Sequence, residues 1–268
     1  MKKAVVCVPI AVLYEFPEDC ALAVDEVLCG ATVDVLSEPY PNWRKIKTEY
    51  GYEGFVHACC LIEDCCVVEE WTCSKKCIVC RNVCLVVSEP KVKSLCVMTL
   101  FQGALIVPLD STCDDGWQKI QLPSCQIGFV QKCFITSFPM CENRKNIRRS
   151  LCDDALTYLG TPYKWSGKTP IGIDCSGLCS QVYLNHGICI YRDAKFVEGF
   201  KTHKINREQL RPADLIYFEG HIAMYLGNGE YIHAAASEGC VVINSLNKNS
   251  PRYRQDLAKG ILLCGAVV

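Results

Sequence analysis

The sequence has no stretch approaching the roughly 20 consecutive apolar residues that a membrane-spanning helix requires, which excludes a span of that kind. It also has almost no excess charge, with 28 Lys+Arg against 29 Asp+Glu and a net charge of -1. Holding a polyanion needs a basic face, so neither nucleic acid nor a membrane is an expected partner. Histidine is scarce at 5 residues, which leaves few candidates for a base working near neutral pH. What is abundant is apolar surface: a hydrophobic share of 50% over 268 residues excludes disorder and describes a globular chain of more than one domain.

Cysteine is in excess, at 22 of 268. A disulfide-stapled scaffold is the first reading to test, but such scaffolds are short chains that lack a sufficient core. Here many cysteines stand where a small apolar residue would serve, as in Val6-Cys7-Val8, Leu28-Cys29, Val83-Cys84-Leu85 and Leu263-Cys264. The adjacent pairs Cys59-Cys60 and Cys65-Cys66 would point to opposite faces if they lay on strands. A mostly reduced, cytoplasmic protein is therefore expected, with secretion to the cell wall as the alternative. Met1-Lys2-Lys3 and the apolar run Ala4 to Leu13 are the only material for a leader, and Glu15, Glu18 and Asp19 stand where a cleavage site would be.

The chain repeats itself. Trp43-Arg44-Lys45-Ile46 recurs as Trp117-Gln118-Lys119-Ile120, and Gly54-Phe55-Val56 as Gly128-Phe129-Val130. Cys59 recurs as Cys133, Val12 as Val86 and Glu15 as Glu89, all at the spacing of 74 residues that separates Trp43 from Trp117. Because Val12 and Glu15 belong to the first copy, the N-terminal run reads as its first strand. Short alternating strands broken by Pro, Gly and acidic residues predict a small β-barrel for each copy. The glycine ahead of Phe-Val suits a turn or bulge before the last strand. This pattern resembles the bacterial SH3-like domain, over residues 1–70 and 76–138.

Between the copies, Cys73-x3-Cys77-x2-Cys80-x3-Cys84 has a spacing seen in metal sites, and its first three members match that of radical enzymes cleaving S-adenosylmethionine. The large α/β barrel of those enzymes has no counterpart here, so no metal or other cofactor is expected.

A third domain is expected from residue 145 to 268, entered through the basic link Asn143-Arg144-Lys145-Asn146-Ile147-Arg148-Arg149. Leu151, Ala155, Leu156 and Leu159 predict an amphipathic helix that Gly160 and Pro162 close. In Ile173-Asp174-Cys175-Ser176-Gly177-Leu178-Cys179, a buried helix is expected to begin at or just after Cys175. A thiol at a helix N-terminus can fall in pKa from about 8.5 to roughly 3.5–7.5, which makes Cys175 the candidate nucleophile. A nucleophile needs a base and a group that orients the base. His221 to Ala234 reads as a hairpin around Gly227-Asn228-Gly229: a three-residue loop puts His221 and His233 on one face, and a two-residue loop puts them on opposite faces.

The last 120 or so residues resemble the NlpC-type cell-wall cysteine peptidases, relatives of papain by fold. The resemblance rests on Asp174-Cys175-Ser176-Gly177, on Gly220-His221-Ile222-Ala223-Met224-Tyr225-Leu226-Gly227 and on Ile232-His233-Ala234. Gly160-Thr161-Pro162-Tyr163-Lys164-Trp165 and Pro212-Ala213-Asp214-Leu215 support it. It implies an α+β papain-like domain after two small SH3-like barrels, with the active site in the cleft where they meet and the first barrel walling off one end. It implies Cys175 as nucleophile, His221 as base, His233 as its orienting partner, and Tyr163 beside the thiol. In the subgroup with two such barrels, Asp174, Ser176, Arg192 and Asp193 would line a substrate site that requires a free N-terminal L-alanine. The implied substrate is a murein peptide, cut between γ-D-glutamate and a diamino acid in wall-peptide recycling; a secreted wall hydrolase is the alternative, and a monomer is expected. Two family glycines are replaced here, by Ser166 and Ala213, which puts the loop at Ser166 in question. His57, His186 and His203 lie outside every matched segment and read as ordinary surface or core residues.

Overall fold

A computed structural model of the chain describes residues 2–109, 116–140 and 146–268. The first three residues of the basic link expected over 143–149, and the expected first residue of the third domain, lie outside the described residues, while Ile147, Arg148 and Arg149 open the helix Ile147–Leu156. The chain divides into two compact units, Met1–Met140 and Cys141–Val268.

In the first unit the repeat is carried out strand for strand. One sheet runs Ala23–Leu28, Ile10–Tyr14, Glu53–His57, Trp43–Lys47, Thr32–Tyr40, Lys2–Val6, Leu61–Ile62. The other runs Cys96–Phe101, Val83–Val87, Ile127–Gln131, Trp117–Gln121, Leu105–Pro108, Cys77–Val79, Ile135–Ser137. Registers agree as well: Trp43 faces His57 and Ile46 faces Gly54, while Trp117 faces Gln131 and Ile120 faces Gly128. Among the described residues both strand orders are open and the ladders do not close into a ring, in contrast to the small β-barrel expected for each copy. Gly54 and Gly128 lie inside strands rather than at the expected turn or bulge. They are glycines because the crossing strand passes close by: a Cβ would come within 3.1 Å of Leu13 at Gly54 and 2.4 Å of Val86 at Gly128.

The copies are joined within the unit. The helix Cys65–Cys73 lies between them in sequence, and its buried Trp71 donates Nε1–H to the Gly30 carbonyl at 2.9 Å. The Leu105 amide donates to the Cys29 carbonyl at 2.9 Å, and Cys29 itself packs in the core of the second copy.

Neither adjacent cysteine pair lies on a strand: Cys59-Cys60 end a 3-10 turn, and Cys65-Cys66 open the helix that Asp64 caps. Cys73, Cys77, Cys80 and Cys84 do not converge on one point; among the described residues the only cluster with metal-ligand spacing is the exposed Asp64, Cys65 and Cys66. Cysteines across the described residues are free thiols, and Cys29, Cys84, Cys179 and Cys264 are buried as small apolar side chains.

The second unit is a six-stranded antiparallel sheet in the order His203–Ile205, Leu263–Ala266, Leu215–Phe218, His221–Gly227, Glu230–Ala235, Cys240–Ser245. The helix Cys175–Asn185 packs on its central strands, with Leu178, Val182 and Tyr183 against Ile222, Met224, Ile232 and Ala234. The preceding helix, Ile147–Leu156, buries Leu151, Cys152, Asp154 and Ala155. The expected apolar stripe is therefore displaced, since Leu156 and Leu159 face solvent and Tyr158 fills the core instead.

Candidate active site

Three backbone constructions bring the site together. The first is the start of the Cys175–Asn185 helix. Asp174 holds extended backbone as its N-cap and accepts from the Gly177 amide at 2.5 Å, so Cys175 is the first helical residue. The chain reaches this point through a parallel bridge of Tyr163 with Ile173, while the Tyr163 amide donates to the Gly239 carbonyl at 2.8 Å. The loop of residues 164–167 is packed so tightly on the helix start that a Cβ at Gly177 would lie 2.1 Å from the Gly167 carbonyl oxygen.

The second is the histidine hairpin. Met224 faces Ile232 and Tyr225 faces Tyr231, but Gly227 faces Glu230, so Leu226 is an extra residue on one strand. The tight turn is the two-residue Asn228-Gly229, both with positive φ (53° and 81°), as a primed hairpin turn requires. A two-residue turn alone would put the histidines on opposite faces; the bulge restores parity. His221 and His233 meet, Nε2 to Nδ1, at 2.8 Å with ring centroids 5.0 Å apart.

The third is the strand Cys240–Ser245, from which Asn244 places Oδ1 2.8 Å from His233 Nε2. Asn244 belongs to none of the segments singled out in the sequence. Only the register of the following ladder, in which Tyr231 faces Asn244 and His233 faces Val242, puts it diagonal to His233 on the same face.

The remaining candidates fall into two groups. Asp174, Ser176 and Arg192 form a buried network: Arg192 donates to both Asp174 oxygens, at 3.1 and 3.0 Å, and to Ser176 Oγ at 2.8 Å, while Ser176 donates to Asp174 at 3.1 Å. Arg192 is only 2% exposed. Asp193, half-buried next to it, spends no side-chain oxygen on this network. Tyr163 is also half-buried, and burial, followed by the neighbouring Cys175 and Asp174, pushes its phenol up in pKa. His57 stacks on Trp43 at 4.0 Å in the first unit, His186 lies beside Asp154 at 3.5 Å, and His203 is exposed on an edge strand.

The expectation of a depressed thiol pKa is overturned. Burial, and then the carboxylate of Asp174, push Cys175 up to about 11, overriding the backbone hydrogen bonds of Ile222 on the sheet and Ser176 at the helix start, and Arg192. Burial, His233 and Arg254 together bring His221 down to about 4. Both partners are therefore neutral near pH 7, a thiol with a free imidazole rather than a preformed ion pair. The sign of the pH effect follows: a base depressed to about 4 stays unprotonated at pH 5. Any turnover that uses it keeps its kcat/KM down to that pH and loses it only near pH 4, with folding followed by circular dichroism. An acid limb near the ordinary histidine value of about 6.5 would refute this assignment.

The two replaced glycines keep glycine's backbone: Ser166 has φ 62° and Ala213 has φ 73°. Ser166 is also buried, with its hydroxyl lacking a hydrogen-bond partner. Relieving the left-handed strain and the orphan hydroxyl outweighs the chain entropy that glycine adds, so Ser166→Gly is expected to stabilise by about 1 kcal/mol, read as a melting-temperature rise of about 2–4 °C. An unchanged or lower melting temperature would show that the loop is not strained.

A thiol at the head of a buried helix, packed on an antiparallel sheet that presents paired histidines, defines the papain-like class of fold. Residues 160–259 match the model of the NlpC/P60 family. Over 269 residues, 98% of this chain and 99% of the relative, the sequence is 36% identical to Dipeptidyl-peptidase 6 of Lysinibacillus sphaericus. It is 32% identical over 152 residues, 52% of this chain and 44% of the relative, to Gamma-D-glutamyl-L-lysine dipeptidyl-peptidase of Bacillus cereus. The crystal structure of an NlpC/P60 family protein from Bacillus cereus shares the fold across 99% of both chains, with a TM-score of 0.79 at 22% identity. The chain belongs to the NlpC/P60 family of peptidoglycan peptidases.

Proposed function

We propose that the chain is a cysteine peptidase that hydrolyses the bond between γ-D-glutamate and the following diamino acid in murein peptides bearing a free N-terminal L-alanine, as a step in the recycling of wall peptides in the cytoplasm. The observation that carries this reading is that Cys175, at the first turn of its helix, has a backbone hydrogen bond with Ile222, the residue next to His221 on the sheet where His221 and His233 are paired. Full-length similarity to a protein named Dipeptidyl-peptidase 6 supports the dipeptidyl character. The buried thiols that pack as small hydrophobes support a reduced compartment.

The chemistry follows from the site. The Cys175 thiol gives its proton to His221 as the sulfur attacks the amide carbonyl. The backbone N–H groups at the helix start lie where the oxyanion forms, and the leaving amine takes the proton back. Water then cleaves the thioester. Tyr163, beside the thiol, positions the substrate. Asp174 and Ser176 act through Arg192, fixing the segment that presents Asp193, whose carboxylate meets the substrate's ammonium group. The sheets at 1–70 and 76–138 serve as SH3-like modules, and 145–268 is the catalytic domain.

The test is incubation of reduced protein with L-Ala-γ-D-Glu-meso-diaminopimelate and its N-acetylated twin, followed by mass spectrometry. Cleavage of the free peptide alone is expected. Asp193→Ala should lower kcat/KM on the free peptide by about 10-fold or more, the scale of one charge-assisted contact. Equal cleavage of both peptides would remove the amine requirement, and cleavage of intact sacculi only would favour a secreted wall hydrolase.

A further inference from the structure

The hydrogen bonds that link His221, His233 and Asn244 can be ordered in two ways. In one, the Asn244 amide nitrogen donates to His233 Nε2, His233 Nδ1–H donates to His221 Nε2, and the His221 proton sits on Nδ1. That arrangement leaves His221 with no lone pair free to accept a proton. In the other, Asn244 Oδ1 accepts from His233 Nε2–H, His233 Nδ1 accepts from His221 Nε2–H, and His221 Nδ1 carries the free lone pair. The His233–His221 contact of 2.8 Å serves either arrangement, but Asn244 turns Oδ1, which can only accept, towards His233 Nε2 at 2.8 Å, as the second arrangement requires.

We propose that Asn244 is a positioning residue that fixes the tautomers of both histidines, so that the bare Nδ1 of His221 is the atom that takes the proton of the Cys175 thiol. The inference rests on the cysteine-peptidase reading above.

Its physical basis is that a neutral imidazole has one donor and one acceptor nitrogen, and the tautomer is set by whatever the other nitrogen binds. Asn244 is well placed to decide, because its strand neighbours leave His233 few alternatives. His233 is 1% exposed, and the ring of Tyr231 lies 5.2 Å from it. The charged groups facing the pair are Arg254, Glu238 and Asp256, and Arg254 is already bound to both of these carboxylates, each at 2.8 Å. No carboxylate is thus left in hydrogen-bond contact with either ring among the described residues. A neutral amide at this position fixes the proton order without drawing His221 towards the imidazolium form, as a carboxylate would.

Two readouts test this. The first is the ring ¹⁵N spectrum of the full chain carrying Cys175→Ala, which needs no substrate. Protonated Nε2 and bare Nδ1 are expected on both histidines, with that pattern lost on adding Asn244→Leu. The second is steady-state cleavage of L-Ala-γ-D-Glu-meso-diaminopimelate. Asn244→Leu should lower kcat by about 10- to 100-fold with KM within about twofold, less than the whole general-base contribution of about 10²–10⁴. Asn244→Asp keeps the acceptor and should restore most of kcat, while moving the acid limb of kcat/KM to higher pH. Wild-type rates and acid limb in Asn244→Leu, a His221 protonated on Nδ1, or an Asn244→Asp variant as damaged as Asn244→Leu would each overturn the proposal. An intact ¹⁵N pattern in a wild-type protein that cleaves no such peptide would instead refute the substrate reading and leave the tautomer assignment standing.

Discussion

Cys175→Ala should abolish peptide hydrolysis, with kcat falling by on the order of 10⁴-fold or more, and leave the fold in place. The first half follows from there being no substitute. Cys179, one turn further along the same helix, is fully enclosed by the core, and its thiol is pushed well up in pKa by that burial. The second half follows from the size of the change. Cys175 is 6% exposed and makes its polar contacts with backbone, of Ile222 on the sheet and Ser176 in its own helix, so alanine removes one sulfur from the edge of the core. A melting temperature within a few degrees of the wild type, together with silent mass spectra, is the expected pair of results. Persistent hydrolysis in a preparation shown to be homogeneous would remove Cys175 from the chemistry.

The largest effect on stability is expected from Arg192→Met. The guanidinium is buried and binds Asp174 through both nitrogens, at 3.1 and 3.0 Å. Removing it leaves a carboxylate enclosed at the helix start without its counter-charge. Breaking a buried pair on one side costs about 3–5 kcal/mol, which for a unit of this size lowers the melting temperature by roughly 10 °C or more. Calorimetry of the full chain reads this as a shift of one of its transitions. Activity should fall with it, because Asp174 also holds the Gly177 amide that sets the first turn beneath Cys175. A variant that melts with the wild type would show that the network is carried by Ser176 and the cap alone.

How far the sequence could be read is clearest at the hairpin. The alternation of side chains was visible, and so was the turn, but whether the two histidines share a face depended on a single extra residue. Leu226 has no feature that marks it as a bulge, since a bulge is decided by which ladder bonds the partner strand accepts. Asn244 was out of reach for the same reason. Its pairing depends on the register across the four-residue loop 236–239, where Ser237 and Gly239, the latter at φ 71°, signal a turn but not its length. The nucleophile was legible because helix start, cap and glycine are local. Its ionisation was not, because the helix terminus is a local effect whereas burial belongs to the packed sheet, and here burial is the larger. The repeat was legible through Trp43 and Trp117, although the use of its glycines was misread: close approach by another strand leaves no local trace.

The exchange of Cys29 across the repeat has an evolutionary side. A duplicated module begins as two self-sufficient copies, each free to be lost or exchanged. Once a side chain of the first copy fills the interior of the second, and the Leu105 amide is tied to the same residue's carbonyl, the copies constrain each other's change. Substitutions at position 29 are then filtered by the volume available in a neighbour encoded some 74 residues downstream, the spacing of Trp43 and Trp117. The seam between the copies has become part of an interior, and recombination there would separate a thiol from the cavity it fills.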